Sequence, residues 1–380
     1  MHGAAIKVLL IILLALSVIL TSLTVYAYTV SNPSRVLQEF KFRGEAKAVV
    51  AVVRADRSNV SAALREAFEL LDLENLIKPG SRVMVKPNVV RLQEPPDTIH
   101  PGTVEALVEL LKSMGASEVV VAEGSGEGST MENFDALGYS EMASKTGVEL
   151  LDLNFGELVN VTILNGRAFK TMMLHKRLFE VDVFISLACM KTHSDAVVTL
   201  GLKNLIGIAP GSVYGIPKGA LHEADSRLGG TYMAAPITDL AKARPINLTI
   251  IDGIVAMEGL GPHRGTPVDM GVIIVGEDPV ATDSIAELIM GFDPRLVPTT
   301  KMAAGDGLGV CDPAYIEVRG VKVEEVFRPF SVASSDHQKF QIVTRENYIL
   351  YESRTSLLTA SAILWVLTAI LTVLRFKFRE

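Results

Sequence analysis

The sequence predicts an α/β protein: a doubly wound, mostly parallel sheet with helices on both faces, flanked by N- and C-terminal transmembrane helices. Three observations carry this expectation. Short, almost wholly apolar runs such as "AVVAVVRA" and "VDVFISLA" have the character of strands buried on both faces, as parallel strands are. These runs alternate with stretches of helical periodicity, the pattern of a sheet wound from strand–helix units. Each end of the sequence also holds an uncharged apolar run of bilayer length.

Taken in order, residues 8–28, "VLLIILLALSVILTSLTVYAY", lack any charge and any polar stripe, which a core helix would show. A membrane anchor over residues 1–30 is expected. The alternative is a cleaved signal peptide, since Val25-Tyr26-Ala27 resembles a small-residue cleavage site. The α/β domain spans 46–330. Its strands are read at 48–55, 82–90, 117–125, 148–153, 181–188, 247–254 and 270–276. Helices are read at 60–76, with Leu64, Phe68, Leu71 and Leu76 on one face, at 103–114 before Gly115, and at 131–146, 236–244 and 279–291. Asp278 caps the last of these ahead of Pro279, while Asp283 within it is either exposed or turned into a pocket. The glycine- and proline-rich stretch 205–232 has no period and reads as a long loop, a length usually kept for function. A linker follows at 331–355, then a second transmembrane helix at 356–374 and a basic tail at 375–380. Arg375, Lys377 and Arg379 in that tail argue for a cytoplasmic C-terminus and an extracytoplasmic α/β domain.

Composition narrows the function. The net charge of −7, with no basic block, argues against a nucleic-acid surface; the expected partner is the lipid bilayer. The two cysteines, Cys189 and Cys311, lie far apart with no C-x-x-C spacing. No iron–sulfur cluster is held by this chain alone, and no zinc ribbon is present.

In open α/β sheets, ligands sit outside the carboxyl ends of the strands. Lys86, Pro87 and Asn88 follow one strand; Lys191, Thr192 and His193 follow another; Asp252 and Gly253 follow a third, with Glu258 close behind. The segment "MKTHSDAVVTLGLKNLIG" (190–207) adds Lys203 and Asn204 within an apolar neighbourhood. An amine buried without a partner is costly, so this segment marks the expected site most strongly. Lys86, Asn88, Lys203 and Asn204 are assigned to substrate binding, the lysines answering carboxylate or phosphate oxygens. His193 and Lys191 are assigned to catalysis, His193 as a general acid–base titrating near neutral pH. Asp252 and Glu258 are assigned to a divalent metal, the cofactor being otherwise unknown. The glycine run "GSGEGST" departs from G-x-G-x-x-G, and Glu123 and Glu127 would repel a pyrophosphate, so a dinucleotide site is not expected.

"VMVKPNVV", "LVELLKSMGASEVVVAEGSG", "DVFISLACMKTHSDAVVTLGLKNLIG", "IIDGIVAMEGLGP" and "GEDPVATDSIAELIMG", in this order, resemble the domain of unknown function 362 family over about residues 48–320. Members of that family often occur beside ferredoxin-type modules, so the resemblance implies redox chemistry. This chain lacks cluster-binding cysteines, and electron transfer would need a separate redox partner protein. The expected function is a membrane-anchored enzyme of oxidoreductase or isomerase type, with a Lys/His/Asp pocket for a small carboxylate or phosphate compound. The alternative is a membrane-tethered binding or assembly protein without catalysis.

Overall fold

The computed structural model describes residues 2–30 and 32–377. The chain divides into two compact units, residues 40–341 and the paired termini 1–39 and 342–380. The stretch read as a linker is shared between them, with a 3-10 helix at Ser335–Phe340 in the first and an α-helix at Arg345–Glu352 in the second.

The larger unit is built on eleven described strands: β1 (Ala48–Arg54), β2 (Arg82–Pro87), β3 (Glu118–Glu123), β4 (Glu149–Asp152), β5 (Leu158–Thr162), β6 (Thr171–His175), β7 (Val183–His193), β8 (Val197–Thr199), β9 (Leu248–Leu260), β10 (Arg264–Gly276) and β11 (Ile316–Gly320). The main sheet runs β11-β1-β10-β9-β7-β2-β3-β4, with β8 pairing β7, while β5 and β6 form a separate hairpin. Along that path every strand but β10 points the same way, which is the mostly parallel α/β sheet expected. Its central strands are buried on both faces because helices cover both sides. Val60–Leu70, Pro101–Ser113 and Tyr139–Thr146 pack on one face, where Leu64, Phe68, Leu107, Leu111 and Tyr139 meet the strand residues. Ala234–Ala243 and Pro279–Ile289 contribute Ile237, Leu240, Ile285 and Ile289 to the other clusters.

Three expectations change. The helix read at 131–146 is two, Thr130–Ala136 and Tyr139–Thr146, because Gly138 turns the chain at φ 86°. The stretch 205–232 is no open loop. It holds the end of a 3-10 helix (Lys203–Ile208) and two α-helices, Gly211–Tyr214 and Gly219–Arg227, too short for a period to show. The third change matters most for the site. Two strands read as ending at Ala188 and Ile254 run on, β7 through His193 and β9 to Leu260, where β9 turns back into β10 as a long antiparallel hairpin.

In the terminal unit, helices His2–Val30 and Arg354–Lys377 are each long and apolar enough to cross a membrane. Only 17% and 11% of their most apolar windows are buried, so neither is packed like a core helix. They touch through Ser361 Oγ and Thr21 Oγ1 at 2.8 Å, and Trp365 Nε1 donates to Thr21 Oγ1 at 3.0 Å. Of the basic tail, residues 378–380 lie outside the described residues.

Candidate functional site

The sheet order sets β3, β2 and β7 side by side and parallel, so their carboxyl ends open at one place. A cavity of about 80 Å³ lies there. Six of the residues singled out in the sequence line it: Lys86, Asn88, Lys191, His193, Lys203 and Asn204. They come together because β7 does not stop at Ala188. It carries Lys191 and His193 onward, and β8 returns antiparallel, Lys191 opposite Thr199 and His193 opposite Val197. Val197 turns at φ 68°, a left-handed conformation that costs a β-branched residue on the order of 1–3 kcal/mol. The return then delivers Lys203 and Asn204 beside the ends of β2 and β7. Asp283 holds this return in place, its two oxygens accepting from the N–H groups of Gly201 (2.8 Å) and Leu202 (2.9 Å). It is therefore neither exposed nor a pocket residue.

Two of the three motif lysines are neutralised. Lys86, fully buried, lies 2.8 and 2.9 Å from the two oxygens of Glu123 and 2.8 Å from Asn204 Oδ1. Burial pushes the Lys86 amine below its ordinary value and Glu123 opposes that shift. Glu123 also accepts from the Val89 (2.9 Å) and Gly124 (2.8 Å) N–H groups, so its lone pairs are engaged. Lys191 is matched by Asp97, whose Oδ1 lies at 2.9 Å and whose backbone carbonyl accepts a second bond. Burial pushes the Asp97 carboxyl up, but the hydrogen bond from His263 and the charge of Lys191 outweigh it and hold it below the usual range.

Lys203 differs. Its ammonium has no hydrogen-bond or ion-pair partner among the described residues, yet it lines the cavity. Burial first, then repulsion from Lys191, brings its pKa down to about 8. His193 is also shaped by its neighbours. The Asp195 N–H donates to His193 Nδ1 at 2.9 Å, which leaves the ring proton on Nε2. Burial, followed by the cations Lys203 and Lys191, pushes the His193 pKa well below the ordinary 6.5, so the ring is neutral at physiological pH. It offers an N–H, as an electrophilic donor does, and does not wait as a free base.

Asp252 and Glu258 are not in the cavity lining. Because β9 continues through them, they lie along a strand and not at its end. Asp252 accepts from Arg57 (3.0 Å) and Thr103 (2.8 Å). Glu258 accepts from Arg328 (3.2 Å) and the Ser331 N–H (2.9 Å). Each carboxylate is engaged elsewhere, which corrects their assignment as a metal pair. Among the described residues, no three His, Cys, Asp or Glu side chains gather as a metal ligand set.

Four contributors escaped the sequence reading. Glu123 had been weighed only as a charge that repels phosphate; its role follows once sequential parallel strands are paired. Asp97 lies in an aperiodic loop and His263 at a hairpin tip, where no pattern marks them. Lys218, buried and bonded to Asn154 Oδ1, stands in the stretch mistaken for open loop; burial lowers its pKa to about 8. Gly207 is required by close approach: a Cβ there would lie 1.9 Å from Glu123 Oε1.

The family described as "Domain of unknown function (DUF362)" matches residues 83–287, more than half of the chain. The chain belongs to this family. The DUF362 segment contains every lysine and histidine of the cavity described above. The chain is 29% identical over 261 residues, 67% of its length, to a thylakoid-associated protein of Synechocystis sp., of which the match covers 77%. Among solved structures it is similar to the lactate racemase apoprotein from Thermoanaerobacterium thermosaccharolyticum, with TM-score 0.40 and 14% identity, over 65% of this chain and 58% of that one.

Proposed function

We propose that this DUF362 protein is a membrane-associated enzyme that binds a small anionic substrate, a carboxylate or phosphate compound, in the cavity at the carboxyl ends of β2, β3 and β7. One observation carries the reading: the Lys203 ammonium is unpartnered inside a cavity whose other motif lysines have their own counter-ions. Lys203 is half-buried, and an ammonium without a counter-ion in such a cavity gains one from a ligand. Protonated, Lys203 anchors the anion. Near its pKa of about 8 a fraction is neutral and accepts a proton from substrate that His193 Nε2–H continues to hold, the same N–H supporting the developing oxyanion. This division of labour suits proton abstraction beside a carboxylate, an isomerase-type step; an oxidoreductase version would draw on a separate redox partner. Support for the membrane anchor comes from the two little-buried apolar helices and the thylakoid-associated relative. An extracytoplasmic placement of the cavity is checked by labelling of single cysteines in intact cells with an impermeant reagent.

The experiment is calorimetric titration of the detergent-solubilised full chain with propionate and inorganic phosphate, beside Lys203→Met. Saturable binding lost in Lys203→Met, with the variant folded and at least as stable as the wild type, is expected. Absence of binding by either probe, or binding indifferent to Lys203, overturns the reading in favour of a tethered assembly protein without a working site.

A further inference from the structure

We infer that the ligand of this cavity carries its own O–H beside its charge: a hydroxycarboxylate in place of a plain carboxylate, or a protonated phosphate in place of a sulfate. The inference rests on the anion-binding reading above and specifies what else the anion must bring.

The argument starts from two oxygens. Asn88 and Thr199 both line the cavity and are only 4% and 3% exposed. Asn88 Oδ1 and Thr199 Oγ1 have no hydrogen-bond partner among the described residues. Buried polar atoms are nearly always paired, so two orphans lining one cavity point to a missing group.

The orientation of Asn88 is dictated by a chain of bonds whose polarity is set by a lysine. The Lys86 ammonium has only donors to give, so the atom of Asn204 that faces it at 2.8 Å must be Oδ1. Asn204 Nδ2 then donates to the Lys86 carbonyl (3.1 Å) and to Ser186 Oγ (3.0 Å). Because Asn204 Oδ1 can only accept, Asn88 must present Nδ2 to it, at 3.2 Å. A flip of Asn88 would set oxygen against oxygen. Its Oδ1 is thereby left as an acceptor without a donor.

The cavity is therefore two-sided in hydrogen-bond character. Lys203 and His193 Nε2–H supply donors for anionic oxygens. Asn88 Oδ1 supplies an acceptor, which calls for a donor such as an O–H on the ligand, and Thr199 a hydroxyl able to take either role beside it. A plain carboxylate or a sulfate satisfies the first pair and leaves Asn88 Oδ1 desolvated and unpaired. Sites built to bond a ligand hydroxyl discriminate strongly against the analogue that lacks it.

The test uses matched pairs on the full chain in detergent: lactate against propionate, and phosphate against sulfate, by calorimetry, with Thr199→Val and Asn88→Leu variants whose melting is checked alongside. Preference of about tenfold or more for the O–H-bearing member of at least one pair is expected, narrowing in at least one variant. The pair that shows the preference identifies the source, hydroxycarboxylate or phosphate. Equal binding within both pairs, still dependent on Lys203, overturns this inference and leaves the anion reading standing. A preference that survives undiminished in both variants also overturns it. If no member of either pair binds, both readings fall together.

Discussion

Removing the charge of Glu123 is the most informative perturbation of this fold. Glu123→Gln keeps the shape but turns a carboxylate into an amide beside the fully buried Lys86 ammonium. In the native site Glu123 receives Lys86 at 2.8 and 2.9 Å and the Val89 and Gly124 N–H groups at 2.9 and 2.8 Å. Glutamine retains one acceptor oxygen. Its NH₂ group faces at least one of these donors, and Lys86 loses its counter-charge. Breaking a buried pair from one side costs about 3–5 kcal/mol, so urea unfolding of the solubilised protein shows a loss of that order. The deficit also has a pH signature. The Lys86 pKa is lowered in the folded state, so the unfolded chain holds more protons than the fold between that value and 10.5, and stability rises with pH across this window. In the variant the folded pKa falls further, the window widens, and the gap to wild type narrows as pH increases. Replacing both partners, Lys86→Met with Glu123→Leu, recovers most of the loss while abolishing the polar wall of the cavity. A Glu123→Gln loss below about 1 kcal/mol, or a gap that does not change with pH, refutes the account of a desolvated pair.

Three other outcomes follow from the geometry. Propionate, whose own charge is constant in this range, binds more weakly as pH rises through about 8, because Lys203 discharges there; calorimetry at several pH values reads this, and a flat profile argues against Lys203 as the anchor. Since that pKa lies below the unfolded 10.5, the cost of burying Lys203 shrinks between about 8 and 10.5, and Lys203→Met removes the corresponding rise in stability with pH. Gly207→Ala sets a Cβ 1.9 Å from Glu123 Oε1 and 2.7 Å from Lys86 Nζ, and costs about 1–3 kcal/mol in unfolding with loss of anion binding; a neutral result means the 3-10 helix Lys203–Ile208 yields easily.

The sequence by itself determined the α/β alternation, the apolar parallel strands, the apolar terminal helices and six cavity residues. These are local signals: strand runs and helical periods are written in consecutive residues, and a buried lysine in an apolar run is conspicuous wherever it folds. Only the tertiary structure decided which charges meet. That Lys86 has Glu123, that Lys191 has Asp97 and that Lys203 has neither depends on strand order and on the return through β8, which span tens of residues. Asp252 and Glu258 looked like part of the site because the strand read at 247–254 was judged to end there. Pairing with β10 carries that strand on to Leu260 and hands both carboxylates to arginines. Strand length is set by the partner across the ladder, whose backbone groups must be satisfied, and that partner is a non-local fact.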